Sequence, residues 1–169
     1  MNIVVNKESL LDVVTAVGRA VSTRSMIPAL SGIRLSAESG KLRFTATDGD
    51  IALQAIVDAD VNTGGEVVVP GRLLTDVVRQ MPAGDVTIDQ AESGSITLTS
   101  GNASFTLRVL PVDDFPETPA VEGETVQIPS VEFAQTVERV RKAASRDETR
   151  PHLTGILLSL DGDNLRTVE

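Results

Sequence analysis

Two stretches of this chain are copies of one another, and that self-similarity limits the possible fold more than any other feature. Ala20, Ser22, Pro28, Leu30, Gly32, Ile33 and Leu35 recur as Ala143, Ser145, Pro151, Leu153, Gly155, Ile156 and Leu158, at a constant shift of 123 residues with no gap. Leu42-Arg43 returns as Leu165-Arg166 at the same shift. A repeat of this kind marks a duplicated packing unit, so each copy is expected to rebuild the same local structure. In both copies a helical pattern runs out and a polar, basic loop follows. Pro-x-Leu-[Ser/Thr]-Gly-Ile-x-Leu then leads into a strand.

The pattern before and after the first copy extends the unit. Met1–Val5 reads as a short strand, and Asn6 is placed to cap a helix whose first turn carries Glu8. Leu10, Leu11, Val14, Val17, Ala20 and Val21 recur at helical spacing, leaving Lys7, Asp12, Thr15 and Arg19 on the polar face. Pro28–Ser36, Lys41–Thr47 and Ile51–Ala59 alternate as three strands. The order then repeats more faintly: strand Glu66–Val69, Pro70 at the first helical position, helix Arg72–Met81, and strands Val86–Asp89, Ser95–Thr99 and Ala103–Val109. Residues 1–109 therefore spell βαβββ twice, and the expected class is α+β with antiparallel sheets carrying helices on one face.

Residues 110–123 hold Pro111, Pro116 and Pro119 among Asp113, Asp114, Glu117 and Glu122, the composition of an extended linker. A third unit opens behind it in residues 124–169. It has strand Thr125–Ile128, Ser130 as N-cap, helix Val131–Ser145, strand Leu153–Leu160, an Asp161-Gly-Asp163 turn and a strand from Leu165. By comparison with 1–109 this second domain is expected to be truncated, carrying only its first part.

Charge divides by element. The net charge is −9, yet the helical windows 7–24, 72–81 and 131–146 hold nine basic residues against five acidic ones. The remaining six basic and nineteen acidic residues lie in strands and loops. Basic helices on an acidic protein suit sequence-independent phosphate contact, and equally a merely solvated helix face. With no Trp or Tyr and 2% aromatics, a base-stacking platform for single strands is not expected.

Catalytic and metal chemistry finds no support. The Asp48-Gly-Asp50 and Asp161-Gly-Asp163 motifs lack the remaining ligands of a calcium loop and read as hairpin turns. There is no Cys, and the single His152 has no partner for metal or triad. No cofactor is expected. No leader-like or membrane-length apolar run occurs in the sequence, so a cytoplasmic location without membrane contact is expected.

The motifs Pro28-x-Leu30-x-Gly32, Thr47-Asp48-Gly49, Val69-Pro70-Gly71-Arg72, Leu110-Pro111-x-Asp113-Asp114-Phe115-Pro116 and Leu153-Thr154-Gly155 together resemble the β sliding clamp family of bacterial DNA polymerase III. The resemblance runs the length of the chain. It implies a clamp fold in which two three-domain subunits form a dimeric ring around duplex DNA. Each domain is then a doubled βαβββ unit, with helices lining the hole. It also implies polymerase and clamp-loader subunits as partners, and a non-catalytic role. By the same resemblance Arg24, after the first helix, and Arg72, just inside the second, touch DNA. A further DNA contact, where the family can present a glutamine and two tyrosines, corresponds to Asp147, Pro151 and His152, with Arg146 and Arg150 as basic neighbours. Leu153 corresponds to a leucine lining the family's partner-binding cleft. The alternative expectation is a stand-alone protein-interaction module that reuses the fold.

Overall fold

In the computed structural model the described residues are 1–22, 26–90, 94–117, 125–147, 149–162 and 164–168. The chain divides into two compact units, Met1–Pro119 and Ala120–Glu169.

The first unit opens with β1 (Asn2–Asn6), which runs straight into α1 (Lys7–Val17). Asn6 makes that junction: its side-chain oxygen accepts from the backbone N–H groups of Glu8 and Ser9, satisfying two of the helix's orphan donors. The helix is shorter than the apolar spacing predicts. It tightens into a 3₁₀ turn at Gly18–Ala20, and a second 3₁₀ turn, Pro28–Ser31, occupies the start of the expected strand. The proline N–H is missing there anyway, and its fixed φ suits the first position of a turn.

β2 (Gly32–Glu38), β3 (Lys41–Thr47) and β4 (Ala52–Asp58) follow as an antiparallel meander. The chain then changes sheets. β5 (Asp60–Thr63), not separable from β4 by local pattern, pairs with β1 instead of β3. β6 (Gly65–Pro70), α2 (Gly71–Gln80), β7 (Asp85–Asp89), β8 (Ser95–Ser100) and β9 (Ala103–Arg108) complete the second βαβββ half. Pro70 stands one position ahead of α2, at its N-cap, so the helix begins at Gly71.

The first strand of each half pairs with a strand of the other half. The two sheets run β5-β1-β7-β8-β9 and β4-β3-β2-β6. β1 from the first half therefore pairs with β7 of the second, and β6 from the second pairs with β2 of the first. The exchange is apolar at every inward position: Ile3 faces Ile88, Val5 faces Val86, Val67 faces Leu35 and Val69 faces Ile33. All eight side chains are buried, together with Leu10 and Val14 of α1 and Leu74 and Val78 of α2. Each large aliphatic group removed from water stabilises the fold by roughly 1.5–3 kcal/mol, so this shared layer is what joins the halves.

The start of the expected linker is packed. Leu110 donates its N–H to the Val68 carbonyl at 2.7 Å. Phe115 is buried with Ala29 and Val68, and the Arg34 guanidinium sits 5.9 Å from its ring centroid. Arg34 is held charged by its hydrogen bond to Glu66, which pushes its pKa up despite partial burial.

The second unit contains α3 (Ser130–Val140), a 3₁₀ turn at Pro151–Leu153, and the hairpin β10 (Leu157–Asp161) with β11 (Asn164–Val168). The hairpin register, Leu157↔Val168 to Asp161↔Asn164, is the Arg34↔Thr45 to Glu38↔Lys41 register of β2 and β3 moved by the repeat shift. Three expectations differ from the structure. Ser130 is the first helical residue, not the cap, and Pro129 precedes it. The helix ends at Val140. Residues 125–128 form no strand: their equivalent, β1, lies between β5 and β7, and neither of those strands has a counterpart among the described residues of the second unit. No helix among the described residues is long and apolar enough to cross a membrane.

Candidate nucleic-acid interface

The polar edges of α1 and α2 meet along a shallow cleft of about 450 Å³. Its basic residues are Arg19, in the turn that ends α1, and Arg72, the second residue of α2. Gly71 sets the position of Arg72. A Cβ on Gly71 would lie 2.8 Å from a Val21 methyl and 3.2 Å from Ile33, so only glycine lets the start of α2 seat this closely. Thr75 then donates its hydroxyl to the Gly71 carbonyl at 2.9 Å, inside the same turn.

Arg19 and Arg72 are exposed, and neither makes an ion pair among the described residues. Asp76, also on the cleft, lies 3.8 Å from Arg79 one turn along. Two exposed guanidinium groups at the junction of two helices, without an ion pair among the described residues, suit contact with phosphate oxygens. Arg72 also borders a second small depression with Val21, Ser22 and Leu73. Arg24, expected to contact DNA, lies outside the described residues. Arg19 was legible only as one of the polar-face residues of α1; its place opposite Arg72 depends on how the two helices pack.

In the second unit the loop after α3 gathers the other expected residues, and Asp147 organises it. Its carboxylate accepts from the Thr149 hydroxyl at 2.6 Å, the Thr149 N–H at 3.1 Å and Arg150 Nε at 3.1 Å. These bonds, the Thr149 hydroxyl first, hold the Asp147 pKa below the ordinary carboxylate value. Arg150 is thereby partly neutralised, whereas Arg146 is exposed and makes no ion pair among the described residues. Pro151 and His152 are exposed in the 3₁₀ turn that closes the loop. Leu153 is 39% exposed, against 7% for its repeat partner Leu30. Among the described residues no cluster of His, Cys, Asp or Glu is arranged to hold a metal ion.

Residues 1–119 match the family profile described as DNA polymerase III beta subunit, N-terminal domain. The chain is 34% identical over 165 residues to the beta sliding clamp of Micrococcus luteus, covering 98% of this chain and 53% of that protein. It is 35% identical over 174 residues to the beta sliding clamp of Synechocystis, covering 44% of it. Among solved structures, the DNA polymerase sliding clamp of Bacillus subtilis superposes with a TM-score of 0.89 at 29% identity, over 98% of this chain and 46% of that one. The chain spans about half the length of the curated relatives it matches.

Proposed function

The chain belongs to the DNA polymerase III β subunit family, and we propose that it supplies the N-terminal part of a sliding clamp, a processivity factor that encircles duplex DNA without reading its sequence. In this reading residues 1–109 are clamp domain I, 110–123 the connection, and 124–169 the first part of domain II. The observation that carries it is the pair of exposed arginines, Arg19 and Arg72, which make no ion pair among the described residues and lie where the two helices of the first unit meet. A ring retains DNA by topology, so its direct contacts need only be a few phosphate interactions with released counterions. Arg24 and Arg146 belong to the proposed contact set, and Leu153 to a cleft for polymerase and clamp-loader subunits. Asp147 acts as the organiser of its loop, and Arg150, Pro151 and His152 form the loop's outer surface. The role is non-catalytic and needs no cofactor, the location cytoplasmic, and the full-length partner a second subunit closing the ring.

Titration with several shuffled duplexes at two salt concentrations tests the reading. The expected result is weak binding, equal across sequences and falling steeply with salt. Strong preference for one sequence overturns it.

A further inference from the structure

The outer face of the β2–β3 hairpin carries Arg34, Lys41 and Arg43, and two of these cations are answered. Arg34 pairs with Glu66, and Lys41 pairs with Asp58. Arg43 is exposed and makes no ion pair among the described residues. The register gives the reason. Lys41 stands between Glu38 on β2 and Asp58 on β4, whereas Arg43 stands between Ser36 and Ile56. Neither neighbouring strand places a carboxylate directly opposite it. Glu66, one strand beyond Ser36, is already taken by Arg34.

Arg43 borders a depression of about 410 Å³ that Ser36, Glu38, Ser39 and Lys41 also line. Two serine hydroxyls therefore flank the one guanidinium without a counter-charge, Ser36 from across the ladder and Ser39 from the hairpin tip.

The second copy of the hairpin supplies an independent observation. In the first copy the core positions Leu35, Ala37, Leu42 and Phe44 alternate with the outward residues Arg34, Ser36, Glu38, Lys41, Arg43 and Thr45. Moved by the repeat shift, these outward residues become Leu157, Ser159, Asp161, Asn164, Arg166 and Val168. Only Ser36 and Arg43 return unchanged, and Ser159 stands opposite Arg166 as Ser36 stands opposite Arg43. Replacing a solvated residue of this kind usually alters stability by about 0.5 kcal/mol or less, so folding gives little reason to keep the pair. Recognition of a ligand does.

We propose that Arg43, with the hydroxyls of Ser36 and Ser39, is a docking point for a single carboxylate on a peptide partner, and that Arg166 with Ser159 repeats its core in the second unit. A planar guanidinium takes a carboxylate through two parallel N–H···O bonds, and a serine hydroxyl can donate to a remaining lone pair. Charge limits the ligand to one such group. Glu38 borders the same depression and the chain carries a net charge of −9, so a phosphate dianion or a run of acidic residues is repelled. The site lies on the face of the sheet turned away from the core and does not depend on the DNA contacts, so either can fail without the other.

A nuclear magnetic resonance titration of the isotope-labelled 169-residue chain tests it, with acetyl-Leu-Glu-Leu-amide as the probe. The expected result is a saturable shift of the Arg43 Nε and Ser36 amide signals, matched at Arg166 and Ser159. The uncharged probe acetyl-Leu-Gln-Leu-amide should leave all of them in place. Arg43→Gln should weaken binding at the first site about tenfold or more while Arg166 still responds. Arg43 is exposed, and the remaining amide signals report directly that the variant is folded. Absence of a saturable shift at Arg43 overturns the proposal, as do equal shifts with the uncharged probe. Inorganic phosphate saturating Arg43 at a lower concentration than the peptide also overturns it, because the site is then one for phosphate. A silent Arg166 beside a responding Arg43 overturns the assignment of a repeated site.

Discussion

The backbone N–H of Ser145 donates to the Leu153 carbonyl at 2.9 Å, and 123 residues earlier Ser22 donates to Leu30 at the same distance. The copy extends to side chains: Thr154 closes its turn on the Pro151 carbonyl at 2.8 Å, as Ser31 does on Pro28 at 2.7 Å. The backbone is repeated, but the surroundings are not, since Leu30 is buried and Leu153 is partly open. Leu30→Ala should therefore destabilise unit one by about 2–5 kcal/mol. Leu153→Ala should cost its own unit much less. Hydrogen-exchange or denaturant profiles resolved by unit would show this; equal losses would mean that Leu153 is as tightly packed as Leu30.

The paired glycines give a second comparison. A Cβ on Gly32 would fall 2.5 Å from a Val68 methyl and 3.1 Å from the Ala29 carbonyl, while one on Gly155 would meet nothing within 4 Å. Gly32 has an extended backbone, so its restriction is one of packing and not of dihedral angle. Gly32→Ala should cost about 1–3 kcal/mol by overpacking. Gly155→Ala should stay within about 0.5 kcal/mol of the parent. Thermal melts of the two variants decide between them.

Arg19→Ala and Arg72→Ala should each weaken duplex binding and reduce the magnitude of the salt slope by about one phosphate contact, with melting temperature nearly unchanged. Both side chains are exposed and outside the apolar stripe, so little stability is at stake. A large drop in melting temperature with binding intact would make them structural.

Asp147 supplies a pH dependence with a definite sign. Its folded pKa lies below the ordinary value because Thr149 and Arg150 donate to the charged form. The stabilisation it gives the loop is thus complete above the unfolded carboxylate pKa and is lost as pH falls through the depressed folded one. Exchange protection of the Thr149 amide should fall in acid, and Asp147→Asn should remove that dependence. The same substitution frees Arg150 from its ion pair and should strengthen duplex binding at neutral pH. Weaker binding would show that the ordered loop matters more than the charge removed.

Much of unit one was legible because its signals are local. Lys41–Thr47 alternates and is β3 to the residue, and Asn6 caps as its side chain and position require. β5 was not legible, since Asp60–Thr63 differs from β4 only in pairing with β1, a tertiary event. The segment 125–128 failed in the opposite sense: Val126 and Ile128 alternate as a strand should, but a ladder needs a second strand. At the proposed interface, Arg72 could be named from a motif, whereas Arg19 is brought to it by the packing of α1 on α2.

The exchange of first strands also has a bearing on how the polypeptide acquires its shape as it is made. β1 is the first element synthesised, yet its central partner β7 ends at Asp89, so the longest pairing joins residues 87 positions apart. At roughly 5–20 residues per second on the ribosome, that strand waits several seconds for its neighbour. Until then the first half can form its meander and helix but cannot complete either sheet. Such distant pairing makes closure slow, and it ties both halves to a single late step.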